Sequence, residues 1–250
     1  MNYGFEGKVA LVTGAGSGIG RATALGFAAS GASVIVSDVN DEGGAETVSL
    51  IEKSGGKATY FRCDVSDADA VDSMMNEAVS KYGRLGFAHN NAGLSSPSAD
   101  EWEQSTWSRT VSVNLDGVMH CMRAAARAML QNGGGAIVNT ASIAGIVGNA
   151  SQPAYVATKH AVIGLTKHGA LKWAKDGIRV NAVCPGVIET AMTEEVARIP
   201  QYRAAMEGMT PLGRMGRPEE VSSAVLWLCS DQASFVTGHP LVVDGGATAG

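Results

Sequence analysis

The chain has 250 residues, of which 45% are hydrophobic and 17% are charged, and its formal net charge is −5. This composition is typical of a globular protein, and the lack of any basic cluster argues against nucleic acid or an anionic membrane as a partner. The apolar run 224–229 is too short to span a bilayer. Because the N-terminus lacks a signal peptide pattern and the four cysteines are widely separated, we expect a cytoplasmic protein without a metal site.

The first predicted unit is a strand, a glycine-rich loop and a helix. The continuous apolar run Val9–Val12 predicts a strand buried on both faces, and a helix is predicted over about 17–30. Glycines let the loop between them approach a pyrophosphate closely, and the helix N-terminus supplies free backbone amides. The predicted contacts with a dinucleotide are Gly14, Ser17, Gly18, Ile19 and Gly20.

The second predicted strand, 34–36, is followed by Asp38. A carboxylate at this position can accept hydrogen bonds from the hydroxyls of an adenosine ribose, and it would repel a 2′-phosphate. The nearby Ser17 and Val39 are neutral, whereas Arg21 could either reach a phosphate or face solvent. The charge argument therefore favours NAD over NADP.

Strands and helices continue to alternate along the chain. Further strands are predicted over about 57–62, 85–89, 136–139, 178–183 and 241–243. Further helices are predicted over about 41–53, 67–82, 101–130, 153–175 and 218–229, with an irregular substrate-loop region at 187–215. This alternation predicts a single α/β domain, 1–250, with a parallel sheet covered by helices on both faces. Ligands of such sheets bind beyond the carboxyl ends of the strands.

Tyr155 and Lys159 are four residues apart in a predicted helix, so their side chains share one face. A lysine ammonium beside a phenol stabilises the phenolate and would lower the pKa of the tyrosine from about 10. Tyr155 could then donate and accept a proton near neutral pH. The pair alone is more typical of a surface tyrosine that lies against a lysine stem, so its assignment depends on the surrounding motifs.

Several motifs follow one another in a familiar order: Thr13-Gly-x-x-x-Gly-Ile-Gly20, Asn90-Asn-Ala-Gly93, Ser142, Tyr155-x-x-x-Lys159 and Pro185-Gly186. With these motifs in register, the chain resembles the short-chain dehydrogenase/reductase superfamily from about residue 8 to residue 246. The resemblance implies a Rossmann-like fold with a seven-stranded parallel sheet. It also implies hydride transfer between a nicotinamide cofactor and a small-molecule alcohol or ketone.

The resemblance assigns a role to each matching residue. Tyr155 would be the acid/base, Lys159 would lower its pKa and hold the nicotinamide ribose, and Ser142 would bond the substrate oxygen. Asn114 would support a proton relay through water. The remaining cofactor contacts would be Asp64 and Val65 at the adenine, Asn91, Ala92 and Gly93 beside the cofactor, and Pro185, Gly186, Ile188 and Thr190 over the nicotinamide.

The preferred interpretation is an NAD-dependent dehydrogenase of a secondary alcohol that is cyclic or otherwise apolar. The segments expected to form the substrate walls are 143–152, which carries no charged residue, and 187–215. Their apolar candidates are Ile146, Val147, Met192, Val196, Met206 and Met209. By analogy with the family, we also expect a homotetramer that pairs through the helices at 101–130 and 153–175, where small residues such as Ala124, Ala125, Ala126, Ala161 and Gly164 would allow close approach.

Two other interpretations stay open. A 3-oxoacyl-[acyl-carrier-protein] reductase would share every motif, but such enzymes typically use NADPH and need a basic rim for the acidic carrier, whereas residues 131–133 are neutral. A cofactor-binding protein without turnover is the third possibility. The presence of Asn114, Ser142, Tyr155 and Lys159 together argues against it.

Overall fold

The computed structural model describes residues 3–95 and 100–250, without the side chains at 195 and 196. Within these residues seven parallel strands form one sheet in the order β3-β2-β1-β4-β5-β6-β7. The strands are β1 Val9–Thr13, β2 Ser33–Asp38, β3 Lys57–Arg62, β4 Phe87–Asn90, β5 Gly135–Thr140, β6 Ile178–Pro185 and β7 Pro240–Val243. The predicted parallel α/β architecture is confirmed.

Helices cover both faces of this sheet. In chain order they are α1 Gly18–Ala29, α2 Asp41–Lys53, α3 Ala68–Tyr82, α4 Gln104–Val111, α5 Gly117–Leu130, α6 Pro153–Trp173, α7 Ala191–Ala197, α8 Pro200–Gly208 and α9 Pro218–Cys229. One face is covered by α1, α2 and α9, and the other by α3, α5 and α6. The sheet therefore separates two hydrophobic cores.

The apolar run of β1 follows from its place in the middle of the sheet. Val9 and Leu11 belong to the core beneath α3, α5 and α6, whereas Ala10 and Val12 belong to the core beneath α1, α2 and α9. Since successive side chains of a strand point to opposite faces, a central strand with both faces covered needs apolar residues throughout. The carboxyl end of β1 is thereby held rigidly at the edge where the glycine loop begins.

The helical segment predicted over about 101–130 is confirmed over 104–130, but it is not one regular α-helix. The structure has α4, a π-helical turn at Ser112–Asp116 and then α5. The apolar periodicity of the segment does not reveal this turn, because one additional residue disturbs the pattern only locally. Such π turns inside helices are frequent at functional sites, and this one contains the fully buried Asn114.

The region 187–215 is also more regular than predicted, since it contains α7 and α8. Its prolines suggested irregular structure, but Pro200 is the first residue of α8, where the missing N–H costs no intrahelical bond. A β-bridge between Ile188 and Gly216 closes the base of the region. The segment that carries the two helices is therefore fixed at both ends.

Neither a membrane-spanning helix nor a metal cluster is found in residues 3–95 and 100–250. The helices in these ranges lack the length and apolar character that a bilayer span requires. No group of three or more histidine, cysteine, aspartate or glutamate side chains is arranged to hold a metal ion. All four cysteines are free and buried in the two cores, which confirms that they are core residues.

Candidate active site

The glycine loop is fastened to the neighbouring strand β4. The Thr13 hydroxyl accepts hydrogen bonds from the N–H groups of Asn91 (3.0 Å) and Ala92 (3.1 Å). The Asn91 amide in turn donates to the carbonyls of Thr13 (3.1 Å) and Gly14 (3.3 Å). Because the strand order reverses between β1 and β4, these bonds close the bottom of the crevice where open parallel sheets bind ligands.

Two positions of the loop require glycine because there is no room for a Cβ atom. A Cβ at Gly14, whose φ is +63°, would lie 2.9 Å from the Ala92 Cα atom, and a Cβ at Gly20 would lie 2.0 Å from the Gly14 oxygen. Helix α1 starts after Ser17 with no side-chain cap and no acidic residue in its first turn. Its first amides are therefore available to an anion, and the loop fits a pyrophosphate.

Asp38 is bonded to the glycine loop and does not cap a helix. Its two carboxylate oxygens accept hydrogen bonds from the N–H groups of Gly16 (2.8 Å) and Asn40 (2.9 Å), and Asn40 is the residue that caps α2. Each oxygen keeps one lone pair, so the carboxylate can still accept bonds from ribose hydroxyls. The Arg21 guanidinium binds Glu46 at 2.6 Å and the Gly16 carbonyl, which engages it in the α1–α2 junction.

A cavity of about 590 Å³ lies at the carboxyl ends of the strands. All of the predicted cofactor residues except Gly20 line it, as does Ser142. Gly20 lies beneath the loop, and its effect is to allow the close approach to Gly14. Across the cavity, a Cβ on Gly18 would lie 3.1 Å from the Thr190 methyl group, so segment 188–190 lies close to the glycine loop.

Sequence reasoning missed several residues that line this cavity: Cys63, Ser66, Leu94, Arg109, Ser112, Val113, Thr140, Ala141, Ala191 and Thr193. Most of them adjoin a predicted residue and could have been found by extending each motif by one or two positions. Arg109 is the exception, since it belongs to no motif. The only available signal was its helical spacing of four from Val113.

The predicted substrate walls are only partly found in the cavity. Met192 lines the cavity, whereas Ile146, Val147, Met206 and Met209 do not, and the Val196 side chain lies outside the described residues. A Cβ on Gly145 would lie 2.6 Å from the Lys159 carbonyl oxygen, so the chain is buried against α6 up to this residue. It then turns outward, which leaves the next two side chains exposed.

Tyr155, Lys159 and Ser142 come together at the end of β5. The Lys159 Nζ atom is 5.3 Å from the centroid of the Tyr155 ring and donates a hydrogen bond to the Thr140 carbonyl at 2.9 Å. The Ser142 side chain is near enough to lower the pKa of Tyr155 by hydrogen bonding, and its hydroxyl accepts a bond from the Ala144 N–H at 3.1 Å. A phenol, a hydroxyl and an ammonium group thus share one small region of the cavity.

The protonation of this group differs from the prediction. Burial raises the pKa of Tyr155, and the hydrogen bond to Ser142 only partly opposes this effect. Burial also lowers the pKa of Lys159 from 10.5 to about 8. The expected lowering of the Tyr155 pKa by Lys159 does not prevail, because the lysine is itself desolvated and its ammonium group is bonded to the Thr140 carbonyl.

Asn114 acts on the neighbouring loop and does not line the cavity. Its Oδ1 atom accepts a hydrogen bond from the Leu94 N–H and its Nδ2 atom donates to the Leu94 carbonyl, both at 2.8 Å. A Cβ on Gly93 would lie 3.3 Å from the Asn114 Oδ1 atom. The π turn therefore holds the segment after β4 in place through a paired amide contact.

Three features found together define a dinucleotide-dependent oxidoreductase. They are a doubly wound parallel sheet, a glycine loop that leads into a helix without a side-chain cap, and a tyrosine–lysine–serine group at the carboxyl edge of the sheet. The family model described as "Enoyl-(Acyl carrier protein) reductase" matches residues 14–248. A short-chain type dehydrogenase/reductase from Mycobacterium marinum superposes with a TM-score of 0.94 at 40% identity, covering 100% of this chain and 98% of that chain.

Two curated relatives match over almost their whole length. A cyclohexanol dehydrogenase of Acinetobacter sp. (strain SE19) is 46% identical, covering 100% of this chain and 98% of the relative. A 3-oxoacyl-[acyl-carrier-protein] reductase of Thermotoga maritima is 42% identical, covering 96% of this chain and 98% of the relative. The chain belongs to the short-chain dehydrogenase/reductase superfamily and is an oxidoreductase that acts on CH–OH groups with a nicotinamide cofactor.

The lowered pKa of Lys159 predicts a specific pH dependence of stability. Between about pH 8 and 10.5 the unfolded chain binds a proton at Lys159 that the folded chain has lost, so this residue makes the free energy of unfolding rise with pH. Lys159→Met removes that contribution. We expect wild type to gain on the order of 2 kcal/mol relative to Lys159→Met across this range in urea titrations.

Lys172→Met is the matched control, because Lys172 is an exposed lysine on the same helix. Its unfolding free energy should run parallel to that of wild type at every pH. Parallel curves for Lys159→Met as well would show that Lys159 is not desolvated.

Proposed function

We propose that this protein is an NAD-dependent dehydrogenase that interconverts a secondary, cyclic or apolar alcohol and its ketone, with Tyr155 as the acid/base. The observation that carries the proposal is that Tyr155, Ser142 and Lys159 line the same cavity, with the Lys159 Nζ atom 5.3 Å from the centroid of the phenol ring. Tyr155 and Ser142 together offer two hydroxyl groups to one substrate oxygen.

The proton chemistry follows from these contacts. When bound, NAD supplies the hydride acceptor and a positively charged ring beside the site. The Tyr155 phenolate accepts the hydroxyl proton of the alcohol, while Ser142 fixes the oxygen so that its geometry is already suited to reaction. In the direction of ketone reduction the raised pKa of Tyr155 is an advantage, because the phenol keeps its proton until the ketone oxygen takes it.

An apolar substrate is supported by the lining near Tyr155. Leu94, Ala141, Ala191 and Met192 lie in the cavity, and the charged residues among its described lining are Asp38, Asp64, Arg109 and Lys159. The two carboxylates follow β2 and β3, away from the reacting end. The 46% identity to a cyclohexanol dehydrogenase is consistent with a cyclic alcohol as substrate.

The 3-oxoacyl-[acyl-carrier-protein] reductase is kept as a second candidate, because a relative with that name covers nearly the whole chain at 42% identity. The two candidates differ in the substrate that reaches the same hydroxyl pair. A screen of cyclohexanol, cyclohexanone and a 3-oxoacyl thioester with both nicotinamide cofactors separates them.

The proposed preference for NAD depends on Asp38. Its carboxylate retains acceptor capacity at the end of β2, and Arg21 is already bonded to Glu46. Arg62 is the cation beside Val39, where it donates to the Val39 carbonyl at 2.7 Å and to Asp41 at 2.9 Å. A 2′-phosphate would therefore meet an unneutralised carboxylate, whereas a ribose hydroxyl would find an acceptor.

A homotetramer is proposed from the family resemblance and from exposed apolar residues on the long helices. Leu171 of α6 is 87% exposed, and Met119 of α5 is also exposed. A Cβ on Gly164 would meet nothing within 4 Å, which leaves room for a partner. In contrast, the predicted small contacts at 124–126 are buried in the core of their own chain and are unavailable to a partner.

Substituting Tyr155 tests the proposed reaction. Tyr155→Phe keeps the ring but removes the proton-carrying hydroxyl, so kcat for cyclohexanol oxidation should fall by about 10²- to 10⁴-fold, as measured from nicotinamide absorbance. Cofactor affinity should change little. Tyr82→Phe on α3 removes a phenol outside the cavity and should retain full activity. A Tyr155→Phe enzyme as fast as wild type would contradict the acid/base role.

Substituting Asp38 tests the cofactor preference. Asp38→Asn removes the negative charge, so the ratio of kcat/KM with NAD to that with NADP should fall by roughly 10- to 100-fold. Asp41→Asn is the matched control, because it removes a neighbouring carboxylate that is paired with Arg62. A wild-type enzyme that prefers NADP would contradict the proposal.

Mass measurement tests the assembly. Multi-angle light scattering should give four times the 25.7 kDa mass of one chain. Leu171→Asp should shift the protein to smaller species with an unchanged circular dichroism spectrum, because a buried unpaired charge is costly at an apolar interface. A monomeric wild type would rule the tetramer out.

A further inference from the structure

Arg109 has an unusual environment for an arginine of this chain. Every other arginine among residues 3–95 and 100–250 pairs with a carboxylate or donates to a carbonyl. The Arg109 guanidinium has neither kind of partner within those residues, although Arg109 lines the main cavity. A cation that faces a cavity without a protein partner has all of its donors available to a ligand.

Helix α5, which continues the helical run that begins with α4, is fixed against the loop after β3. Further along the same helical run, His120 Nδ1 lies 3.0 Å from the Val65 carbonyl oxygen. A Cβ on Gly117 would lie 2.6 Å from a Val65 methyl group, so only glycine permits this approach. The backbone stays helical through the π turn that separates α4 from α5.

Helical spacing relates Arg109 to this contact. Arg109 is one turn before Val113, which also lines the cavity, and Val113 is in turn four residues before Gly117, the residue that packs against Val65. The loop after β3 contributes Asp64 and Ser66 to the same lining. Since β3 is the neighbour of β2, this is the end where Asp38 is positioned to receive the adenosine ribose.

The charges at this end leave Arg109 free for a neutral planar ligand. Asp64 already accepts hydrogen bonds from the Ser66 N–H at 2.9 Å and from its hydroxyl at 2.7 Å, and no ion pair joins it to Arg109. The other cation in the described lining, Lys159, lies beside Tyr155 at the reacting end. A guanidinium group is planar and weakly hydrated, so it stacks well on aromatic rings.

We propose that Arg109 binds the purine base of the cofactor, with its guanidinium group against the ring. The inference rests on the nicotinamide cofactor of the proposed function and adds a binding residue that lies outside every sequence motif. Arg109 then contributes affinity for the adenosine half and leaves the reacting half unaffected. An arginine is suited to this position because it offers both a flat surface and hydrogen-bond donors to the ring nitrogens.

Cofactor fragments test this inference without turnover. Isothermal titration calorimetry would compare ADP-ribose with nicotinamide mononucleotide on wild type, Arg109→Ala, Arg109→Lys and Arg123→Ala. We expect Arg109→Ala to weaken ADP-ribose binding by about 3- to 30-fold and to leave nicotinamide mononucleotide binding unchanged. Arg109→Lys keeps the charge but loses the planar guanidinium group, so its affinity for ADP-ribose should fall between those of wild type and Arg109→Ala. Arg123→Ala, which only removes an ion pair with Asp72, should match wild type.

Three outcomes would overturn the inference. Unchanged ADP-ribose affinity in Arg109→Ala would show that Arg109 does not touch the base. An equal loss for both fragments would indicate a general charge effect on phosphate binding. A change in the mass of the assembly in Arg109→Ala would assign Arg109 to an interface between chains. If wild type itself binds no ADP-ribose, the proposed nicotinamide function fails as well, so the two failures are distinguishable.

Discussion

The burial of the Lys159 ammonium group is the constraint on which the catalytic end of the cavity depends. Only 5% of the residue is exposed, and its Nζ atom is bonded to a single carbonyl, that of Thr140. Burying a charge away from water is costly in free energy. The buried position of Lys159 is therefore stable only if the end of β5 and the first turns of α6 stay in register. That register also fixes Ser142 and Tyr155, because they follow β5 and start α6 respectively.

The same constraint explains why the two ends of the cavity are built differently. At the reacting end, hydroxyl and ammonium side chains are held by buried secondary structure, so that proton positions are well defined. At the adenosine end, the groups proposed to bind are a carboxylate, backbone groups after β3 and an exposed arginine. Precise placement is needed for bond making, whereas recognition of the adenosine half requires only complementary chemistry over a larger surface.

The sequence predicted the sheet and most of the site because both are encoded locally. Helices α2 and α9 have their predicted bounds, since Asn40 and Pro218 mark their starts clearly. The missed features depend on contacts between distant segments. The π turn forms where the Asn114 amide pairs with Leu94, and the direction of the Tyr155 pKa shift depends on how much water the folded chain excludes. Neither effect has a signature in residue spacing.

The proposed pyrophosphate site consists largely of main chain. Around the N-terminus of α1 the donors are backbone amides, and the side chain of Ser17 caps none of them. Peptide groups do not titrate and are retained when side chains are substituted, so these donors for the pyrophosphate do not change with pH. Natural variation can weaken it chiefly by adding volume, as a methyl group on Gly20 would. The chemistry at Tyr155 can therefore diversify across related enzymes while the anchoring of the dinucleotide stays the same.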